Sequence, residues 1–253
     1  MADLTTPASN AGKPAMRPVL TDPVLQVDRL CFGYPGQPAL FDRWSATLPS
    51  GLTLLEGDTS SGKSTLLRLL AGELTGELAG ALRGTGDVWL AGRRIDTDPS
   101  AWRREVCWID PRDPAWDSMR PDELMAAQRA LHPGFDETAW QRHLEAFDLQ
   151  PHRAKAMYML SAGTRRKVAL AASLSAGCAL TLLDEPTAGL DRPSVDWLAQ
   201  ALTEAAGQPG RACLLASAWG LEDRLPLAAT LMLMLGTRPG PVAQVRGTRA
   251  SAR

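Results

Sequence analysis

The chain has 253 residues, 45% of them hydrophobic and 22% charged, which supplies enough apolar material for one sizeable core and excludes a mainly disordered chain. Its formal net charge of -1 gives no overall attraction to nucleic acid or to an anionic membrane surface, so nucleic acid is not an expected partner. Four cysteines, Cys31, Cys107, Cys178 and Cys213, lie far apart, with neither zinc spacing nor a disulfide framework, and are read as reduced core residues.

Residues 1–22 are rich in Ala, Thr, Pro and Asn and are expected to form a mobile tail, as are residues 238–253. Between them "VLQVDRLCFGY", "LTLLEG", "GDVWLAGRRI", "REVCWID", "ALTLLDE", "ACLLASA" and "ATLMLML" predict strands, with helices after Gly62, Thr164 and Pro193. Several of these strands are apolar without alternation, which suits a sheet buried on both faces. Residues 121–160 differ in texture. Trp140, Leu144 and Phe147 fall at i, i+4, i+7, and "PDELMAAQRAL" sets good helix formers behind a Pro-Asp start. By spacing alone this stretch is either a small inserted helical subdomain or two core helices. The longest uncharged apolar runs, such as "LPLAATLMLMLG", fall short of the roughly 20 residues that a spanning helix needs, and the N-terminus has no apolar segment of the secretory kind. A cytoplasmic chain without a fused membrane domain is therefore expected.

The stretch "GDTSSGKST", residues 57–65, fits GxxxxGK(S/T), follows the strand "LTLLEG" and opens a helix. Glycines in such a loop let backbone N–H groups converge on phosphate oxygens at a helix N-terminus. Gly57, Asp58, Thr59, Ser60, Ser61, Gly62, Lys63, Ser64 and Thr65 are thus candidate nucleotide-binding residues, with Lys63 neutralising the β and γ phosphates and the Ser64 hydroxyl able to ligate Mg2+. Downstream, "TLLDEP" sets Asp184 and Glu185 side by side where a buried strand ends. An acid at the end of a neighbouring strand is where a P-loop fold holds its metal, so Asp184 is the expected Mg2+ partner, and the cation offsets the repulsion between the two carboxylates. Glu185 is then free to position or deprotonate a water aimed at the γ phosphate.

Between the helical stretch and the two acids stands "YMLSAGTRRKVALAASLSAG", and after them comes "PTAGLD". Together with the P-loop, these segments resemble the nucleotide-binding domain of the ATP-binding cassette (ABC) ATPases over about residues 24–237. "LSAGT" is similar to the signature LSGGQ, keeping Ser161 and Gly163 while Ala162 and Thr164 replace a glycine and the glutamine, and "AGLD" resembles the D loop that ends at Asp191, which the resemblance implies is a nucleotide contact. Tyr34 in "CFGYPG" matches the aromatic A loop that stacks on adenine. The resemblance implies an α/β P-loop NTPase core in residues 23–237, with an N-terminal antiparallel β subdomain and a helical subdomain inserted at about 119–160. It also implies ATP and Mg2+ as ligands, and catalysis by Glu185 and Lys63. The expected partners are a membrane-embedded transporter subunit and a second ATPase copy, as homodimer or heterodimer, with each ATP between the P-loop of one copy and Ser161 and Gly163 of the other. Peripheral attachment to the cytoplasmic membrane, through that membrane partner, follows from the same resemblance. The small single-cassette layout looks most like ATPases of exporters.

The chain also departs from the family. Where a glutamine normally follows the strand "EVCWI", the sequence reads "DPRDPAW", leaving Asp110 or Arg112 as substitutes, or a plain proline-kinked loop. Where a switch histidine normally stands, it reads "LLASAW", with Ala218 in the histidine's place and Ser217 before it. His132, His143 and His152 all precede the signature and are expected to be surface or subdomain residues. The run "RRK" after the signature is expected to be a charged, solvated helix face. These departures predict slow hydrolysis and keep open an alternative, a catalytically weak nucleotide-dependent regulatory module that pairs with another ATPase.

Overall fold

The computed structural model describes residues 23–74, 85–216, 220–221 and 223–234. Both tails, and the positions of Ser217 and Ala218, lie outside the described residues.

Among the described residues nine strands form two sheets. β1 (Leu25–Phe32), β2 (Phe41–Leu48), β4 (Thr85–Leu90) and β5 (Arg93–Arg94) make an antiparallel sheet in the order β2-β1-β4-β5. β3 (Gly51–Glu56), β6 (Val106–Trp108), β7 (Leu180–Asp184), β8 (Ala212–Ala216) and β9 (Leu227–Met232) make a parallel sheet in the order β6-β7-β8-β3-β9. The α-helices of the described residues are α1 (Lys63–Leu70), α2 (Pro99–Glu105), α3 (Pro121–Leu131), α4 (Glu137–Ala146), α5 (Ala162–Ser175) and α6 (Arg192–Ala206).

The parallel strands are continuous apolar runs because both faces are covered. Along β8, Ala212, Leu214 and Ala216 join a core with α1 and the antiparallel sheet, while Cys213 and Leu215 join a second core under α5 and α6. β7 divides in the same way, with Leu180 and Leu182 on the first side and Leu183 on the second. Trp140, Leu144, Phe147 and Leu124 of the helical stretch are fully buried in that second core, together with Leu215 and Cys107 of the sheet. The two helices are thus a hydrophobic continuation of the α/β core, reached by the i, i+4, i+7 face that the sequence displays.

Two elements went unpredicted. β2 pairs antiparallel with β1, and the register shifts between Val27 and Leu30 and again between Leu30 and Phe32, which breaks the alternation that would have marked the strand. α2 begins behind Asp98, whose carboxylate accepts from the Ser100 and Ala101 amides, so the predicted strand "REVCWID" is helix through Glu105 and strand only from Val106. The four cysteines are free; Cys107, Cys178 and Cys213 are buried, whereas Cys31 is half-buried. No helix among the described residues is long and apolar enough to cross a membrane.

Candidate active site

The strand-loop-helix at residues 51–70 has the geometry its glycines require. A Cβ on Gly57 would lie 2.3 Å from the Leu233 carbonyl oxygen and 2.7 Å from Ser61 Oγ, so only glycine lets the loop leave β3 between β9 and its own turn. Ser60 and Gly62 both take positive φ, 65° and 96°, to swing the chain into α1. No side chain caps the α1 N-terminus at Gly62, which leaves the first helical N–H groups directed at the loop's hollow for an anion to accept. Lys63 Nζ lies across that hollow, donating to the carbonyl oxygens of Gly57 at 2.7 Å and Asp58 at 2.9 Å. Ser61 is buried and its Oγ has no hydrogen-bond partner. Tyr34 Oη lies 3.1 Å from Thr65 Oγ1, and Phe32 meets the Tyr34 ring edge-on, which fixes an aromatic ring beside the P-loop helix.

The two acids stand at the end of β7. Ser64 Oγ donates to Asp184 Oδ2 at 2.7 Å, joining residues 120 positions apart in the chain. Burial raises the Asp184 carboxyl above the usual carboxylate range, opposed by the Ser64 hydrogen bond and by Arg112. Glu185 is exposed and takes a left-handed φ of 46°, held there by its N–H donating to Ala216 O at 2.9 Å and its C=O accepting from Ala188 N at 3.0 Å. A non-glycine residue in that conformation is strained and persists because the β7–β8 junction over-determines it. A hydroxyl and a carboxylate in contact beside a P-loop lysine are the hard oxygen donors that Mg2+ takes, so Ser64 and Asp184 fit such an ion.

Gly163, the second residue of α5, has a structural reason to be glycine: a Cβ there would lie 2.5 Å from Gly189 O. Ser161 caps the same helix, its Oγ accepting from Thr164 N at 3.1 Å. The run "RRK" is not a solvated face. Arg165 pairs with Asp117 at 2.6 Å, Arg166 donates to Ala188 O, and Lys167 bonds Asp191 Oδ2 at 2.6 Å. Asp191, expected to contact nucleotide, has its other oxygen engaged too, accepting from Ser194 N at 2.9 Å as the cap of α6. The Lys167 ammonium first, and the Ser194 hydrogen bonds next, hold the Asp191 carboxyl well below the usual carboxylate range. One basic run thus fastens the start of α5 to residues 188–191.

The family described as ABC transporter matches residues 41–188, more than half of the chain. The chain belongs to that family. Relatives include the cytochrome c biogenesis ATP-binding export protein CcmA of Rhodospirillum rubrum, 38% identical over 66% of this chain and 68% of that protein. Others are the nickel import ATP-binding protein NikO of Rhodobacter capsulatus, 34% identical over 77% and 79%, and the taurine import ATP-binding protein TauB of Escherichia coli, 32% identical over 87% and 83%. A solved ATP-binding subunit of an ABC transporter shares the fold, with a TM-score of 0.69 at 19% identity, covering 85% of this chain and 89% of that one. An ABC protein of this kind binds ATP and is an ATPase.

Against that family's pattern, the loop after β6 stands out. Asp110 does not stand open toward a metal: its carboxylate accepts from Arg112 N at 2.9 Å, from Nε at 3.0 Å and from Nη2 at 3.2 Å. The same Nη2 reaches Asp184 Oδ2 at 3.4 Å. The loop is therefore more than a proline-kinked connection, and of the two substitutes it is Arg112 that meets Asp184 at the end of β7. All three histidines lie in the helical stretch; of the two placements expected, surface or subdomain, His132 and His143 take the second and are buried, while His152 is half-buried. His132 Nδ1 lies 3.0 Å from Arg104 O, and His143 Nδ1 accepts from Trp197 Nε1 at 3.1 Å.

Proposed function

We propose that this chain is the motor subunit of an ABC transporter, binding MgATP in the P-loop and closing on a second ATPase copy to move a separate membrane subunit. The observation that carries the proposal is the 2.7 Å contact of Ser64 with Asp184, which sets the P-loop against a half-buried acid. Lys63 and the α1 amides would hold the β and γ phosphates, and Ser64 with Asp184 would hold Mg2+, whose charge offsets that of the phosphates. Tyr34 would stack on the adenine. Glu185, exposed at the strand end, would accept the proton of the attacking water. Ser161 and Gly163 at the start of α5 would face the γ phosphate bound by the second copy, since a helix N-terminus favours an anion. Within each chain the Gly163–Gly189 contact would tie that face to the segment following Glu185.

A membrane-embedded partner fits the names of the relatives, which are ATP-binding proteins of export or import. With such a partner the chain would sit at the cytoplasmic face of the membrane. Export has the CcmA relatives behind it, and the taurine and nickel relatives favour import, so a transport assay on the assembled complex decides direction. A second reading, a nucleotide sensor paired with another ATPase, draws on Arg112 and Ala218 standing where a glutamine and a histidine are normal. Lys63→Ala tests the shared premise: ATP affinity measured by calorimetry should fall at least about 10-fold, since a charged hydrogen bond to phosphate is lost. Unchanged affinity would remove the P-loop from the account.

A further inference from the structure

Three carboxylates, those of Asp110, Asp184 and Glu185, crowd the exit of β7 and β6, and Asp184 is the most enclosed, its side chain only 10% exposed. Such a group requires a cation, and the chain itself supplies one. Arg112 is clamped by Asp110 through its backbone N–H and through the fork of its guanidinium, and the Nη2 of that fork lies 3.4 Å from the same Asp184 oxygen that accepts from Ser64. Arg166 also feels the charges of Asp184 and Glu185, but its guanidinium is engaged with Ala188 O. A glutamine in the position of Arg112 could supply hydrogen bonds but no charge, and a guanidinium cannot lose its proton.

We propose that Arg112 is a resident counter-cation of the metal site, positioned by Asp110, so that it and Mg2+ compete for Asp184 Oδ2. This rests on the reading that Ser64 and Asp184 hold the metal. Two positive centres cannot share one carboxylate oxygen at ligand distance without mutual repulsion, so metal entry displaces the guanidinium. Two consequences follow for binding, apart from turnover. Metal-free ATP is tolerated because Arg112 already neutralises the acid that the γ phosphate would otherwise face. Added Mg2+ improves ATP binding less than it would at a site that begins with an uncompensated acid.

The test uses the full chain and measures the dissociation constant of ATP in EDTA and in saturating Mg2+, by calorimetry, for wild type, Arg112→Gln and Arg112→Lys. The ratio of the metal-free to the Mg2+ constant should rise about 10-fold in Arg112→Gln, the size of one charge-assisted contact. It should stay within about 3-fold of wild type in Arg112→Lys, which keeps the charge. The Arg112 side chain is 62% exposed, so neither substitution disturbs the core. An unchanged ratio in Arg112→Gln, or the same rise in Arg112→Lys, overturns the counter-cation role while leaving the nucleotide site intact. Absence of ATP binding by the wild type in both conditions overturns the nucleotide site and the counter-cation together.

Discussion

Burial pushes the His143 imidazole down to about 4, with the neighbouring Arg142 guanidinium acting in the same direction. The ring is neutral in the folded state and accepts the Trp197 N–H at 3.1 Å, packing edge-on to that indole. An unfolded histidine takes up its proton near 6.5, so between about 6.5 and 4 the unfolded state binds more protons and stability is lost as pH falls through that window. From pH 7 to pH 5 this one group should remove at most about 2 kcal/mol, read by urea unfolding. In His143→Gln that share of the pH dependence should vanish; an identical slope would show that other groups set it. At this scale the P-loop was legible because its spacing is itself the chemistry. Lys63 turns back onto the Gly57 carbonyl and Ser64 meets Asp184. The burial of His143 was not legible, because a histidine on an amphipathic helix carries no sign of which neighbour will cover it. Nor could spacing decide between Asp110 and Arg112, since the bidentate clamp that turns Arg112 toward Asp184 exists only once the loop has folded.

The signature helix α5 and the segment before α6 are joined by a set of short contacts. Gly163 lies against Gly189 O, Arg166 bonds Ala188 O, and Lys167 bonds the cap of α6 at Asp191. Gly163→Ala should therefore cost about 1–3 kcal/mol in thermal or urea unfolding, as overpacking against backbone does. A variant as stable as wild type would mean that the two segments part easily and are not fastened. The charged run in α5 read as a solvated face because sequence pattern counts polarity and does not reveal partners 22 and 24 positions away. β2 escaped notice for a related reason: Asp42 and Arg43 sit exposed in a bulged strand whose buried positions, Phe41, Ala46 and Leu48, do not alternate cleanly. α2 is a seven-residue helix with one buried side chain, Trp102, so its periodicity is too short to read, although Asp98-Pro99 is a capping start.

Across the whole molecule, a two-faced parallel sheet brings the P-loop, the acid pair and Arg112 to the same end of its strands. β3 delivers the P-loop, β7 delivers Asp184 and Glu185, and β6 delivers Arg112, because parallel strands end on the same side. The antiparallel sheet adds Tyr34 from the end of β1. Apolar runs without alternation made the parallel sheet readable from sequence, whereas the order of its strands, with β3 between β8 and β9, is set by pairing that the runs themselves do not encode. In contrast, the partner copy that would complete the site at Ser161 and Gly163 is a matter of association. It has to be read from behaviour in solution. The most direct measurement is steady-state ATP hydrolysis with Mg2+ by the purified chain beside Glu185→Gln. Slow turnover that falls at least about 100-fold in Glu185→Gln, as expected when a general base is removed, is the predicted result. Equal turnover in the two proteins would contradict it and would take the chemistry away from the carboxylate pair at the end of β7.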